Sequence, residues 1–349
     1  MKRILFTLLS FILVLSLVGC GGNESSTSTE TETETTEEKV VIGFVTDTGG
    51  LGDQAFNDAV HSGLLKATEE FNYELKIIES KEIGDYADNM RTLLNEGASV
   101  IVVAGAPFAD SVSQVAAEYP DKYFLSFDSE VDGMDNVSST LSKEQEAAYV
   151  LGAFAGLVSE TGIAGYVAGV ESPLQERAIN GFKAGFLSTR PDGKVIDIYA
   201  GTYNDVGKGK EIASTLYDQG ADYVATFAGA CNLGVFQAAT EAGEGKYALG
   251  AALGQFDKNP EKIIASQVKT IDLAVYNALA EFSKGEFSSG IVVRGIKEGG
   301  VDILYNPDAE LVGSIASEEV LNKVEEIRQQ VIDGKIDIPE TREELEALN

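Results

Sequence analysis

Short apolar, β-branched runs alternate with stretches of helical spacing along nearly the whole chain. Val40–Thr46 (VVIGFVT), Leu75–Glu79, Ser99–Ala104 (SVIVVA) and Lys122–Phe127 read as strands, with helices at Asn57–Phe71, Asp85–Glu96 and Ala109–Glu118 between them. Strand runs without polar alternation fit positions covered on both faces, and hence a parallel, doubly wound sheet. After a short piece, Asn136–Thr140, the rhythm restarts with a small-residue-rich helix, Glu144–Ser159. Strands at Ile163–Val170, Val195–Tyr199, Tyr223–Phe227, Tyr247–Ala252 and Ser266–Thr270 then alternate with helices at Gln175–Leu187, Gly207–Gln219, Gly234–Ala242 and Asp272–Phe282. A β-rich stretch, Ile291–Tyr305, and a charged helix, Ser317–Asp333, follow.

The two halves are alike in architecture without being sequence repeats, and about 310 residues past position 38 exceed what one core supports. The expected fold is α/β, with two doubly wound parallel-sheet lobes joined by a three-crossing hinge, type I periplasmic-binding-protein-like. A ligand is expected between the lobes, at the C-terminal ends of strands. Residues 39–139 with 270–295 are assigned to the N-terminal lobe, and 140–269 with 296–349 to the C-terminal lobe.

The first residues break this rhythm and speak to location. Lys2 and Arg3 precede a run of 15 residues, Ile4–Val18, that is apolar apart from Thr7, Ser10 and Ser16. That is the length of a secretory h-region and short for a bilayer span. Its end, Leu17-Val18-Gly19-Cys20, resembles the lipobox of bacterial lipoproteins, which implies cleavage after residue 19 and acylation of Cys20. An ordinary signal peptide with a chance cysteine, or an uncleaved anchor, are the alternatives. Residues 21–38 (GGNESSTSTETETETTEE) contain no apolar side chain and read as a flexible tether. Such a tether spans roughly 20–25 Å, enough to lift a domain off a membrane.

Charge and residue usage narrow the function classes. Lys and Arg number 26 against 56 Asp and Glu, a formal charge of −30, and loss of Lys2 and Arg3 with the signal peptide takes it to −32. Such a surface repels nucleic acid, so no nucleic-acid partner is expected. With Cys20 lipidated, Cys231 is the one remaining thiol, and His61 is the one histidine. Zinc sites and histidine-based catalysis therefore find no residues. No cofactor and no metal are expected, and no enzymatic activity.

The first strand–loop–helix reads GFVTDTGGLGDQAFND over residues 43–58, and ordered matches continue at ERAINGFKAGF (176–186), YAGTYNDVGKGKEIA (199–213), GADYVATFAGACNLGVFQAA (220–239) and IIASQVKTIDLAVYNAL (263–279). Together they resemble the basic membrane protein family of substrate-binding lipoproteins, the purine-nucleoside receptors of ABC importers. The resemblance spans essentially the whole mature body. It implies a lipid-anchored, extracytoplasmic protein that hands a nucleoside to the permease subunits of an ABC transporter.

It also implies a set of ligand-binding residues. Asp47 ends the first strand and can accept from a base N–H, and Asn57 can offer donor and acceptor together. Phe56 is the expected aromatic face from one lobe and Tyr203 from the other. Asp128 can accept from a sugar hydroxyl, and Lys269 can donate to ribose or to Asp47. Gly229 and Gly234, flanking Cys231, resemble a loop where backbone approaches the ligand. Read singly, each has a plainer role: Asp47 a turn cap, Phe56 a core residue, Asn57 a helix cap, Tyr203 surface, Lys269 a solvated strand end.

Gly49-Gly50-Leu51-Gly52 lacks phosphate-loop spacing, and Asp47, Asp53 and Asp58 around it repel phosphate, which favours nucleosides over nucleotides. One stretch departs from the family. Where an acidic strand end is expected to hold ribose, residues 249–257 read LGAALGQFD, with Gln255 matching but Ala251, Ala252 and Gly254 in place of the acids. A different small polar ligand, a metal-assisted nucleoside hydrolase on the Asp47–Asp53–Asp58 spacing, and a surface adhesin are the competing readings.

Overall fold

The computed structural model describes residues 39–53 and 56–347. The expected signal peptide, Cys20 and the tether lie outside the described residues. The strands are β1 (Val41–Thr46), β2 (Glu74–Glu79), β3 (Ala98–Ala104), β4 (Tyr123–Phe127), β5 (Val137–Ser142), β6 (Ile163–Ala168), β7 (Lys194–Tyr199), β8 (Tyr223–Phe227), β9 (Tyr247–Ala252), β10 (Ile263–Lys269), β11 (Gly290–Arg294) and β12 (Val301–Tyr305). The helices are α1 (Phe56–Glu70), α2 (Tyr86–Asn95), α3 (Ala109–Glu118), α4 (Glu144–Val158), α5 (Pro173–Thr189), α6 (Val206–Asp218), α7 (Cys231–Glu241), α8 (Ile271–Ser283), α9 (Ala309–Ile315), α10 (Glu318–Ile332) and α11 (Arg342–Ala347).

They build two lobes, each around a six-stranded sheet, with strand orders β11-β5-β4-β3-β1-β2 and β12-β10-β9-β8-β6-β7. The first sheet is parallel throughout. The second is parallel except for β12, which runs antiparallel along β10. An antiparallel edge strand is common on doubly wound sheets. The β-rich stretch thus divides between the sheets, and the chain passes from one to the other after β5, after β10 and after β11.

Side chains along β1 and β3 alternate between two buried layers. Ile42, Phe44, Val100 and Val102 pack with Val60, Leu64, Val275 and Leu279 of α1 and α8. Val45, Ile101 and Val103 pack with Met90, Leu93, Val112 and Val115 of α2 and α3. Burial of each such side chain stabilises by roughly 1.5–3 kcal/mol, and cover on both faces explains the missing polar alternation. The second sheet repeats the scheme, with Tyr166 and Leu249 against Phe154 and Phe182, and Val167 and Val224 against Leu216 and Val235.

Helices α4 and α5 approach almost backbone to backbone. A Cβ on Gly185 would lie 1.9 Å from the Tyr149 carbonyl oxygen, and one on Gly152 would lie 2.1 Å from that of Phe182. The small residues of this pair are therefore a packing requirement. One element differs from the predicted range: α7 begins at Cys231, not Gly234. Gly234 is an interior contact point, where a Cβ would meet the Val206 carbonyl oxygen at 2.0 Å.

Candidate functional site

The carboxyl ends of the strands meet around one cleft between the lobes, which encloses about 660 Å³, part of it open to solvent. Parallel strands deliver their loops to this edge. Asp47 follows β1, Asp128 follows β4, Phe227 ends β8 and Ala252 ends β9. Phe56 and Asn57 open α1, while Tyr203 and Gly229 come from the loops after β7 and β8. Of the residues expected in the cleft, Asp47, Phe56, Asn57, Asp128, Tyr203 and Gly229 line it, and Lys269 lies behind Asp128.

Asp47 is held by its neighbours. Its Oδ1 accepts from Asn57 Nδ2 at 2.7 Å and from the Gly49 N–H at 2.8 Å. The second amide hydrogen of Asn57 goes to Asp53 Oδ2 at 3.0 Å, and its Oδ1 accepts from the Asp47 N–H at 3.3 Å. Both donors of Asn57 are thus engaged inside the protein, so its part is to fix Asp47 and not to offer a donor and an acceptor together. Burial pushes the Asp47 carboxyl above its ordinary value, Asn57 and Gly49 offset part of this, and the charge of Asp53 adds to it. Asp53 itself accepts from the Asn57 and Asp58 N–H groups at the start of α1, at 2.9 and 3.2 Å.

Lys269 departs from expectation in its partners. Its ammonium meets neither Asp47 nor the open cleft; it donates to Asp128 Oδ2 and Glu144 Oε1, each at 2.6 Å. The strand end is buried, and two carboxylates from distant parts of the chain enclose it. Burial works against its charge, but the two carboxylates more than offset this and hold its pKa above the ordinary lysine value. Glu144, not singled out in the sequence, accepts in turn from Arg177 Nη2 at 3.1 Å. Asp128 Oδ1 is buried with no hydrogen-bond partner, and its residue sits at φ +55°, a left-handed backbone. Leaving such an acceptor unsatisfied costs about 1–3 kcal/mol, and strained backbone clusters where ligands bind.

Three aromatic side chains, Phe56, Tyr203 and Phe227, line the cleft. The Tyr203 ring lies on Gly169, where a Cβ would come within 2.0 Å of its Cε1. Gly229, at φ +58°, gives passage to the Tyr203 carbonyl, which a Cβ there would meet at 2.8 Å. Phe227, from the second lobe, lines the cleft as Phe56 does, and the Lys269 ammonium lies 5.6 Å from the Phe56 centroid and 5.4 Å from that of Phe227. Phe227 reads in sequence as the last core residue of a strand, and its place at a strand's carboxyl end was the available signal. On the far wall Ala252 presents a methyl group from a backbone at φ +58°. Gln255 turns its Oε1 to Asn232 Nδ2 at 3.0 Å.

Among the described residues no group of three or more His, Cys, Asp or Glu is arranged to hold a metal ion. No described helix is long and apolar enough to cross a membrane.

A family model described as ABC transporter substrate-binding protein PnrA-like (Bmp) matches residues 39–342. The chain is 30% identical to a CD4+ T-cell-stimulating antigen of Listeria monocytogenes, over 97% of this chain and 99% of that protein. It is 28% identical to the ABC transporter nucleoside-binding protein BmpA of Lactococcus lactis, over 93% and 94% respectively. Among solved structures, an ABC transporter system solute-binding protein from Aeropyrum pernix superposes with a TM-score of 0.81 at 26% identity, covering 88% of this chain and 96% of that one.

Proposed function

The chain belongs to the Bmp family of PnrA-like ABC transporter substrate-binding proteins, and from that premise we propose that its cleft captures a nucleoside, with a purine base, for import. Phe56 and Phe227, from opposing lobes, supply the two apolar faces a flat base needs, and stacking on an aromatic ring is worth roughly 1–3 kcal/mol per base. Among the described residues the hydrogen bonds of the Asp47 carboxylate fall on Oδ1, and Oδ2 accepts from a base N–H. The observation that carries the proposal is the unpartnered Oδ1 of Asp128, an acceptor kept for a ligand hydroxyl. The nucleoside-binding relative from Lactococcus lactis supports the same ligand class. Asp47 and Asp53 together disfavour a phosphate, hence a nucleoside and not a nucleotide.

Cys20 carries the acyl chains that tether the protein to the outer face of the cell membrane, and its partners are the permease subunits of the importer. The lobes close about the three crossings on the ligand, the first of them falling after β5 and not at the 139/140 boundary read from the sequence, which lies inside that strand.

Titration calorimetry of the ligand-stripped body, residues 39–349, with adenosine, guanosine, inosine and pyrimidine nucleosides tests the ligand class. Purine nucleosides are expected to bind, and silence across the panel rejects the proposal. The Ala252 methyl, where a ribose-binding acid is expected, favours a second reading, a different polar ligand. Native mass spectrometry of the protein as purified separates the two.

Asp47 should make capture pH-dependent. Because burial raises its folded-state pKa above 3.8, the stability linked to it is greatest below pH 3.8 and is lost as pH rises through the raised value. Affinity for an N–H donor runs the other way and is lost as pH falls through that value. Asp47→Asn should weaken binding at neutral pH and flatten the profile. A wild-type affinity that stays level into acid would remove Asp47 from the base contact.

A further inference from the structure

A line of alternating charges runs from the outer side of the second lobe to the cleft. Arg177, on α5, has a side chain 23% exposed and donates through Nε and Nη2 to Glu144 Oε2, at 3.2 and 3.1 Å. Glu144, in the first turn of α4, accepts from Lys269 through Oε1, and Lys269 reaches on to Asp128 Oδ2. The side chains of Glu144, Lys269 and Asp128 are only 2–4% exposed. Two cations and two carboxylates leave the group neutral. Glu144 follows the crossing after β5, and Lys269 precedes the crossing after β10, so the group ties two crossings together.

Of these four residues only Asp128 lines the cleft. An ammonium has three protons to give, and hydrogen bonds to a charged acceptor are about twice as strong as neutral ones. Facing one buried carboxylate alone, Lys269 would have protons enough for both of its oxygens. Here Glu144 draws the ammonium to the other side, and Asp128 Oδ1 is left without a partner.

We propose that Glu144 is a positioning residue for ligand capture: it holds Lys269 between two carboxylates, so that only Oδ2 of Asp128 is engaged and Oδ1 stays open to a ligand hydroxyl. Without the Glu144 charge the ammonium turns wholly to Asp128, bridges both oxygens and closes the acceptor. Arg177 fixes Glu144 and acts in the same direction at one remove. The choice of probes rests on the nucleoside reading; the geometry of the charge line does not.

Titration calorimetry with inosine and 2′,3′-dideoxyinosine, on wild type, Glu144→Gln and Arg177→Gln, reads the effect. Wild type should prefer inosine by about tenfold or more, the scale of one hydrogen bond to a charged group. Glu144→Gln should bring that preference close to unity while its affinity for the dideoxy compound holds, and Arg177→Gln should lose part of it. Equal weakening towards both compounds is what a merely structural role gives, and it overturns the proposal, as does a preference that survives. A crystal structure of ligand-free Glu144→Gln supplies an arm that needs no nucleoside. Lys269 Nζ bonded to both Asp128 oxygens supports the proposal, and Nζ on Oδ2 alone overturns it. If wild type binds neither compound, the nucleoside reading fails and the crystallographic arm decides. If Glu144→Gln does not fold, Arg177→Gln carries both arms.

Discussion

Lys269→Met is expected to abolish ligand capture and to destabilise the folded body by about 3–5 kcal/mol, the usual effect of removing one partner from a buried ion pair. Methionine fills much of the lysine's volume, so the loss comes from charge and not from a cavity. It leaves Asp128 and Glu144, each with a side chain only 2% exposed, without the cation they share. Two like charges in a poorly solvated space then oppose each other, and Asp128 no longer has its Oδ2 held in place. The pH dependence separates this from loss of packing. The folded-state pKa of Lys269 is raised above 10.5, so its stabilising contribution is fully present below pH 10.5 and is lost as pH rises through the raised value. The variant should lack that alkaline loss. In acid, where Asp128, its carboxyl pushed above the ordinary value by burial, takes up a proton, the gap between the two proteins should narrow. Urea unfolding across pH measures both ends, and a constant difference at every pH would mean that the cluster contributes by shape alone.

Gly185→Val should prevent the second lobe from packing, at a cost beyond the 1–3 kcal/mol usual for overfilled cores. A Cβ at 185 would lie 1.9 Å from the Tyr149 oxygen and 2.7 Å from its carbonyl carbon. The obstacle is backbone in a buried helix and cannot swing aside as a side-chain tip can. Helices α4 and α5 would have to move apart, which also strips Gly152 from Phe182 and Gly181 from Gln145, each a contact of the same kind. Gly313→Ala is the control. It lies in α9 with nothing within 4 Å of the added methyl, so relief of glycine's backbone entropy should stabilise by roughly 0.5–1 kcal/mol. Thermal melts of the two variants should move in opposite directions. A Gly185→Val melt within a few degrees of wild type would sink the close-packing account.

Strands and helices of this chain are legible because each is paid in local pattern: β8, β9 and α3 occupy the predicted ranges. The gathering of Asp47, Phe56, Asn57, Asp128, Tyr203 and Gly229 on one cleft was legible too, since strand ends and the loops after them share one edge of a parallel sheet. What the pattern does not carry is pairing at long range. Lys269 is 141 positions from Asp128 and 125 from Glu144. A lysine at a strand end reads as solvated until two carboxylates arrive from elsewhere. Phe227 was hidden for a related reason, because an apolar strand terminus reads as core until the facing lobe is in place. Tyr203 lines the cleft with its ring bedded on Gly169 of its own lobe, a contact that no local pattern announces.

The first sheet receives its outer strand only at Arg294, and the second only at Tyr305. Neither sheet has all its strands until the chain has been made to those positions. Until then β5 and β10 each lack a neighbour, and an open strand edge is where nascent molecules join one another. Late completion therefore leaves those edges open to pairing with other chains for as long as the missing strands are unmade.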